Sequence, residues 1–202
     1  MKRKEQAAIA KEKLLTAAQK LISEKGYDHI SISDITKASG MSAGNFYHYF
    51  KSKEDLIIAV ERDLYDRNLE NVRKMHGKGI LDMLTFYFCN STDYTVNVYG
   101  VNFARQWFIY HLSNPTTLHD PSNKVNITIK EVKECLESCQ KNGELRSDVC
   151  LDTLAEDIVL STWGAQFYGI LTNGEFDLLA WNERYCKTVL KQILEPYYAD
   201  KK

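Results

Sequence analysis

A chain of 202 residues, 44% of them hydrophobic, can bury a sizeable core as one large domain or two small ones. No stretch reaches the roughly 18 uninterrupted apolar residues of a membrane span, so no membrane anchor is expected. The formal net charge of −1 gives the molecule as a whole no polyanion-binding character, but residues 1–56 hold ten Lys/Arg against seven Asp/Glu, and the remainder sixteen against twenty.

Periodicity is helical almost throughout, which predicts an all-α fold. The first helix is expected over Glu5–Lys25, with Leu14, Ala18, Leu21 and Ile22 on one face and Gly26 as its stop. The charged N-terminus, with Lys2, Arg3 and Lys4, leads into this amphipathic segment and not into a signal-peptide apolar region, so a cytoplasmic location is expected. Ser33 is read as the cap of a short helix through Ala38, Gly40 as a turn, and Ser42 as the cap of a second short helix through Tyr49. Ser52 opens a longer helix with Asp55 three residues on, and Ile57, Val60, Leu64 and Leu69 form a stripe toward Met75. Gly77 and Gly79 mark a break.

Further helices are expected over Ile80–Ser91, Val101–Leu112, Lys124–Lys141, Leu151–Asn173 and Phe176–Tyr198, with a loop from Pro115 to Pro121. Ile129, Val132, Leu136 and Cys139 share one face. So do Leu178, Tyr185, Val189, Ile193 and Tyr197, with one double step allowed.

Residues 31–56 have the internal logic of a helix-turn-helix. Ile35 and Ala38 are expected to face inward, Gly40 permits the tight turn, Met41 plugs the corner, and Phe46 and Phe50 complete a small core. The first helix, with Ile30 and Ile32, supplies the rest of a three-helix head. Ser42, Ala43, Asn45, Tyr47 and His48 are then left outward on a helix sized for the major groove. Hydroxyls favour phosphate oxygens, whereas Asn and His reach base edges, and Lys51 and Lys53 belong beside phosphates. The competing reading takes the aromatic run as bundle core only; the glycine turn, the serine caps and the following Lys-Ser-Lys argue against it. His48 has a structural alternative as a histidine bonded to a backbone group.

The run Gly40, Ser42, Gly44, Phe46-Tyr47-His48-Tyr49-Phe50 and Lys51-Ser52-Lys53-Glu54-Asp55-Leu56 falls in order without a gap and resembles the signature of the TetR family of bacterial regulators. That resemblance implies a helix-turn-helix DNA-binding domain over residues 1–52, and a helical ligand-binding and dimerisation domain over 53–202 whose first part, 53–76, is a connecting helix. It implies phosphate contacts for Ser33, Tyr47 and Lys53, and base or groove contacts for Ser42, Ala43, Asn45 and His48. Ala43 departs from the Lys or Arg of many relatives, which removes one guanine contact of that type.

The expected partners are a double-stranded DNA operator, an unidentified small-molecule effector and a second copy of the chain, with no membrane. The function the resemblance implies is a ligand-responsive regulator, a repressor released by its effector, that is not an enzyme.

Trp107, Tyr110, His111, Trp163 and Phe167 are the ligand-binding candidates, on helices that the family places around its cavity. Each also has an ordinary reading as core. The last two long helices carry apolar residues on more than one face, as a dimer interface requires.

The five cysteines, odd in number, are poor material for a disulfide framework. Cys135 and Cys139 lie four apart on one helix, which raises a thiol- or metal-sensing alternative on the same scaffold. No histidine or acidic cluster with ligand spacing accompanies them, which favours buried small hydrophobes. A second alternative is a helical small-molecule carrier or enzyme without DNA binding. No catalytic constellation, cofactor motif or metal-ligand spacing stands out.

Overall fold

The computed structural model describes residues 3–75, 78–118, 120 and 123–199. It is 79% helical, and there is no strand among the described residues. Its helices are α1 (Arg3–Lys25), α2 (Ile32–Ser39), α3 (Ala43–Tyr49), α4 (Lys53–Arg73), α5 (Ile80–Asp93), α6 (Val101–Ser113), α7 (Lys124–Lys141), α8 (Leu151–Leu171), α9 (Leu178–Tyr185) and α10 (Lys191–Leu194). Wide π-turns follow α5 (Tyr94–Val98) and join α9 to α10 (Cys186–Leu190), and a 3-10 turn follows α1 (Tyr27–His29). The expected break at Gly77, the loop end at Pro121 and the side chain of Leu64 lie outside the described residues.

The chain forms two compact units. The first comprises Met1–Asp66 and Tyr94–Asn114; the second comprises Arg67–Asp93 and Pro115–Lys202. Helix α4 contributes residues to both.

In the first unit, α1 packs on α2, and α2 on α3. Leu14, Ala18, Leu21, Ile22, Ile30, Ile35, Phe46, Phe50, Leu56, Ile57 and Val60 are buried, so the expected apolar stripes of α1 and early α4 do meet a core. Ala38 does not face that core as expected. It is exposed, and Thr36 is buried instead. The start of α2 also departs from the expectation: its cap is Ser31, not Ser33, because Asp34 stands at the third helical position of a capping box. The Asp34 backbone N–H donates to Ser31 Oγ (3.2 Å) while the Ser31 backbone N–H donates to the Asp34 carboxylate (2.8 Å). Ser33, the second residue of α2, has Thr36 three residues on and so no such carboxylate partner in register.

In the second unit, α7 packs on α8, and α5 on α7 and α9. Leu84, Val132, Leu136, Leu154, Ile158, Leu190 and Leu194 are buried there. Buried polar groups pair across these helices: Asn68 Nδ2 donates to the Tyr87 carbonyl (2.9 Å) and to Ser91 Oγ (2.6 Å), and Asn182 Nδ2 donates to Thr92 Oγ1 (2.5 Å).

The C-terminal stripe differs from the expected one. Leu178, Asn182, Tyr185, Cys186, Leu190 and Leu194 are buried, whereas Val189 is 45% exposed and Ile193 is only half-buried. The π-turn at Cys186–Leu190 inserts one residue into the helical repeat, which shifts every later apolar position by about a quarter turn relative to a 3.6-residue count.

Candidate nucleic-acid interface

The turn between α2 and α3 is closed by backbone geometry that few residues allow. Gly40 sits in the left-handed region at φ 68°, and the next N–H, that of Met41, reaches back to the Thr36 carbonyl at 2.9 Å. Ser42 then caps α3, accepting the Asn45 backbone N–H on its hydroxyl at 3.1 Å. Phe46 is fully buried and meets Phe50 one turn on, ring centroids 5.6 Å apart. Lys11 of α1 places its ammonium 5.8 Å from the Phe50 ring.

Burying Phe46 and Phe50 fixes the rotation of α3, and the opposite side is left to solvent. Ser42, Ala43, Asn45, Tyr47 and His48 are all exposed, Tyr47 at 58%. Ser33 is exposed as well. One face of a short helix therefore carries an amide, an imidazole, a phenol and a small residue without an intervening acid, and neither Asn45 nor His48 is drawn into the core. Hydrogen-bonding groups of this kind match the donors and acceptors of base edges and phosphates.

Lys53 behaves differently from the other candidates. Its ammonium donates to the Tyr27 carbonyl (2.6 Å) and lies 3.8 Å from the centroid of the Tyr27 ring. Burial holds its pKa below the ordinary lysine range, against Asp28 and Glu54, which raise it. Tyr27 is itself buried, and its hydroxyl donates to Glu54 at 3.3 Å. Lys53 therefore ties the start of α4 to the turn after α1, a structural role that the sequence does not announce, because both partners lie on a backbone carbonyl and a ring twenty-six residues earlier.

The opening of α4 follows the expected cap in part. The Asp55 N–H donates to Ser52 Oγ at 3.2 Å, but the Asp55 carboxylate accepts from the Lys51 N–H at 3.0 Å, not from the cap residue. Its other oxygen accepts from the Tyr110 hydroxyl at 3.4 Å, which brings α6 against the head within the first unit. Helix α6 also packs on the Tyr27–His29 turn. This attachment has no local signal in the sequence.

Of the ligand-binding candidates, Trp107, Tyr110 and His111 fall in the first unit and Trp163 and Phe167 in the second. Trp107 is buried and its ring centroid lies 4.2 Å from that of His111. Trp163 is half-buried, and Phe167 is 44% exposed. Cys135 and Cys139 are buried, as small hydrophobes would be, and burial pushes their thiols up to about 11 and about 12. Among the described residues no group of three or more His, Cys, Asp or Glu is arranged to hold a metal, and no helix is long and apolar enough to cross a membrane.

Residues 14–60 match the profile described as bacterial regulatory proteins, tetR family. A 67-residue stretch is 48% identical to the HTH-type transcriptional regulator YvdT of Bacillus subtilis, covering 33% of this chain and 34% of that protein. The chain thus spans about a quarter to a third of the length of the curated relatives it matches first. Likeness over the greater part of the chain comes at lower identity, from UidR of Escherichia coli, 26% identical over 87% of this chain and 86% of that protein, and from solved structures. GusR of Salmonella enterica is 25% identical with a TM-score of 0.60, over 92% of this chain and 95% of that one. A TetR-family transcriptional regulator from Pectobacterium atrosepticum, 17% identical with a TM-score of 0.71, shares the fold over 100% of both chains.

Proposed function

We propose that the chain is a transcriptional regulator of the TetR type, a homodimeric, ligand-responsive repressor that leaves its operator when a small molecule binds the body. The match of residues 14–60 to the tetR-family profile supports the DNA-binding part of this reading. The functional division is residues 1–52 for DNA and 53–202, beginning with the connecting segment 53–76, for ligand and dimer contacts. It acts in the cytoplasm and catalyses no reaction.

The observation that carries the reading is the outward face of α3. Asn45 and His48 read base edges, Ser42 and Ala43 approach the groove wall, and Ser33 and Tyr47 contact phosphate. Lys53 adds positive charge at the same end while holding the Tyr27 turn. With Ala43 in place of a cationic residue, discrimination rests on Asn45 and His48, whose partners of choice are adenine and guanine edges.

A single head of this size makes few phosphate contacts, so affinity depends on a second head. Support for a dimer comes from α8. Leu160, Phe167 and Leu171 follow one another at helical spacing, are 50%, 44% and 66% exposed, and are joined by Tyr168 at 54%. Gly164 lies in the same row, with open space around its missing side chain. A second copy laid along this row buries what a monomer would leave in water. Phe167 accordingly belongs to the dimer face in this reading, and Trp107, Tyr110 and His111, all on α6 of the first unit, are retained for the ligand.

Effector coupling uses α4, which contributes residues to both units, and α6, which carries Trp107 and His111 and also touches Asp55 through Tyr110. An effector that favours one placement of these helices lowers operator affinity by its differential affinity, typically about 1–3 kcal/mol. The test is fluorescence anisotropy with duplex DNA from upstream of the protein's own gene. Binding that weakens steeply with salt and survives competition by random duplex supports the reading; binding no tighter than to random duplex overturns it.

A further inference from the structure

Two pairs of sulfur atoms that are remote in sequence come together in the second unit. Cys135 and Cys139, one turn apart on α7, line a cavity of about 670 Å³ that is open to solvent, and Met83 of α5 and Met75 line it as well. Cys139 Sγ lies 4.0 Å from Met83 Sδ. We propose that this sulfur-lined cavity binds one monovalent copper ion, Cu(I), held by the Cys135 and Cys139 sulfurs with Met83 as a thioether ligand.

Three features select that ion. The first is donor type: two thiols and thioethers are soft ligands, which favour Cu(I) over the oxygen- and imidazole-seeking divalent metals. The second is what the cavity lacks. Zinc wants four thiolate, imidazole or carboxylate ligands, and no cluster of three or more such groups exists among the described residues, whereas Cu(I) is satisfied by two or three sulfurs. The third is spacing. Two sulfurs bonded to one metal at about 2.3 Å and spread about 120° apart are separated by about 4 Å, which is the Cys139 to Met83 separation already present.

A Cu(I) dithiolate carries one negative charge, and the cavity that would hold it is lined by Arg73, Lys78 and Lys141 against Glu134 and Glu137, an excess of one cation. The site was not legible from the cysteine spacing, because the third sulfur comes from a methionine fifty-six residues earlier. It stands independently of the DNA-binding reading, since copper binding is measured on the protein alone.

The experiment is an anaerobic titration of the reduced full-length chain with Cu(I) in competition with a chromophoric Cu(I) chelator, followed by X-ray absorption of the copper-loaded protein. One Cu(I) per chain with a coordination shell of two or three sulfurs is expected. The double variant Cys135→Ser/Cys139→Ser should leave the copper with the chelator, and Met83→Leu should weaken binding by about ten- to a hundredfold while keeping the stoichiometry. Cys150→Ser, at an exposed cysteine outside the cavity, should change nothing. Circular dichroism confirms that each variant is folded. The proposal is overturned if the wild-type chain cannot compete with the chelator, if the folded double variant binds as well as wild type, or if the absorption spectrum shows nitrogen or oxygen ligands in place of sulfur.

Discussion

The α2–α3 turn and the α9–α10 junction are both interruptions of regular α-helix, yet they are built from different materials. In the first, each backbone choice has its own residue: a serine and an aspartate for the cap of α2, a glycine for the left-handed position, a serine for the cap of α3, two phenylalanines underneath. In the second, the π-turn at Cys186–Leu190 has no cap side chain, and what holds it is the burial of Cys186, Leu190 and Leu194. A turn specified locally presents its outward side chains in a fixed pattern, as a reader of base edges must. A turn specified by packing tolerates substitution as long as volume is kept.

The contrast is broken most forcefully at Phe46. Phe46→Ala should destabilise the head by about 3–5 kcal/mol and abolish operator binding, and thermal unfolding followed by circular dichroism should show an early transition absent from wild type. A single transition with wild-type midpoint would mean that the head does not depend on this ring. On the body side, Leu160→Glu together with Leu171→Glu should convert the protein to a monomer by light scattering, with a loss of operator affinity on the order of a hundredfold because the two heads no longer bind as a pair. A dimer that survives both charges places the interface elsewhere.

These two outcomes bear on what the sequence discloses. The α2–α3 unit is legible because every signal in it is short-range: Gly40, Ser42 and the Phe46/Phe50 spacing act within a few residues of themselves. The capping residue of α2 is misplaced by two positions for the same kind of reason, since Ser31 and Ser33 are both plausible caps and only Asp34 in register decides. Helix bounds in the body are also recovered closely, α7 to the residue, because amphipathic periodicity is itself local. What escapes is long-range: the Lys53 ammonium on Tyr27, the Tyr110 hydroxyl on Asp55, Met83 beside Cys139, and the π-turn that turns Val189 outward. Each depends on where a distant segment lies, which no window of sequence contains.

Lys53 sharpens the comparison further. Lys53→Met retains the aliphatic stem against Tyr27 but removes the donor to its carbonyl, so it should lower thermal stability by about 1 kcal/mol in addition to weakening phosphate binding. A variant as stable as wild type would assign Lys53 to DNA alone. Ser31→Ala should cost a similar amount, about 1 kcal/mol, through the lost cap, with operator contacts unchanged once the head is folded.

The smallest effect concerns acid. The Ser31 hydroxyl and backbone N–H hold Asp34 below the usual carboxylate range, so its contribution to stability is fully present above the unfolded value near pH 4 and is lost as pH falls through the lower folded value. Asp34→Asn should therefore flatten the fall in melting temperature below about pH 4 and leave its pH dependence above that unchanged. An equal acid slope in the variant would remove Asp34 from the capping account.

The central claim is that the outward face of α3 reads DNA while its inward face only holds the fold. The most direct measurement is the operator affinity of Asn45→Ala/His48→Ala set beside its melting temperature. A loss of about 1–3 kcal/mol per base contact, with the melting temperature and the weak binding to random duplex retained, is the expected result. Unchanged operator affinity in a protein of unchanged stability would contradict the account.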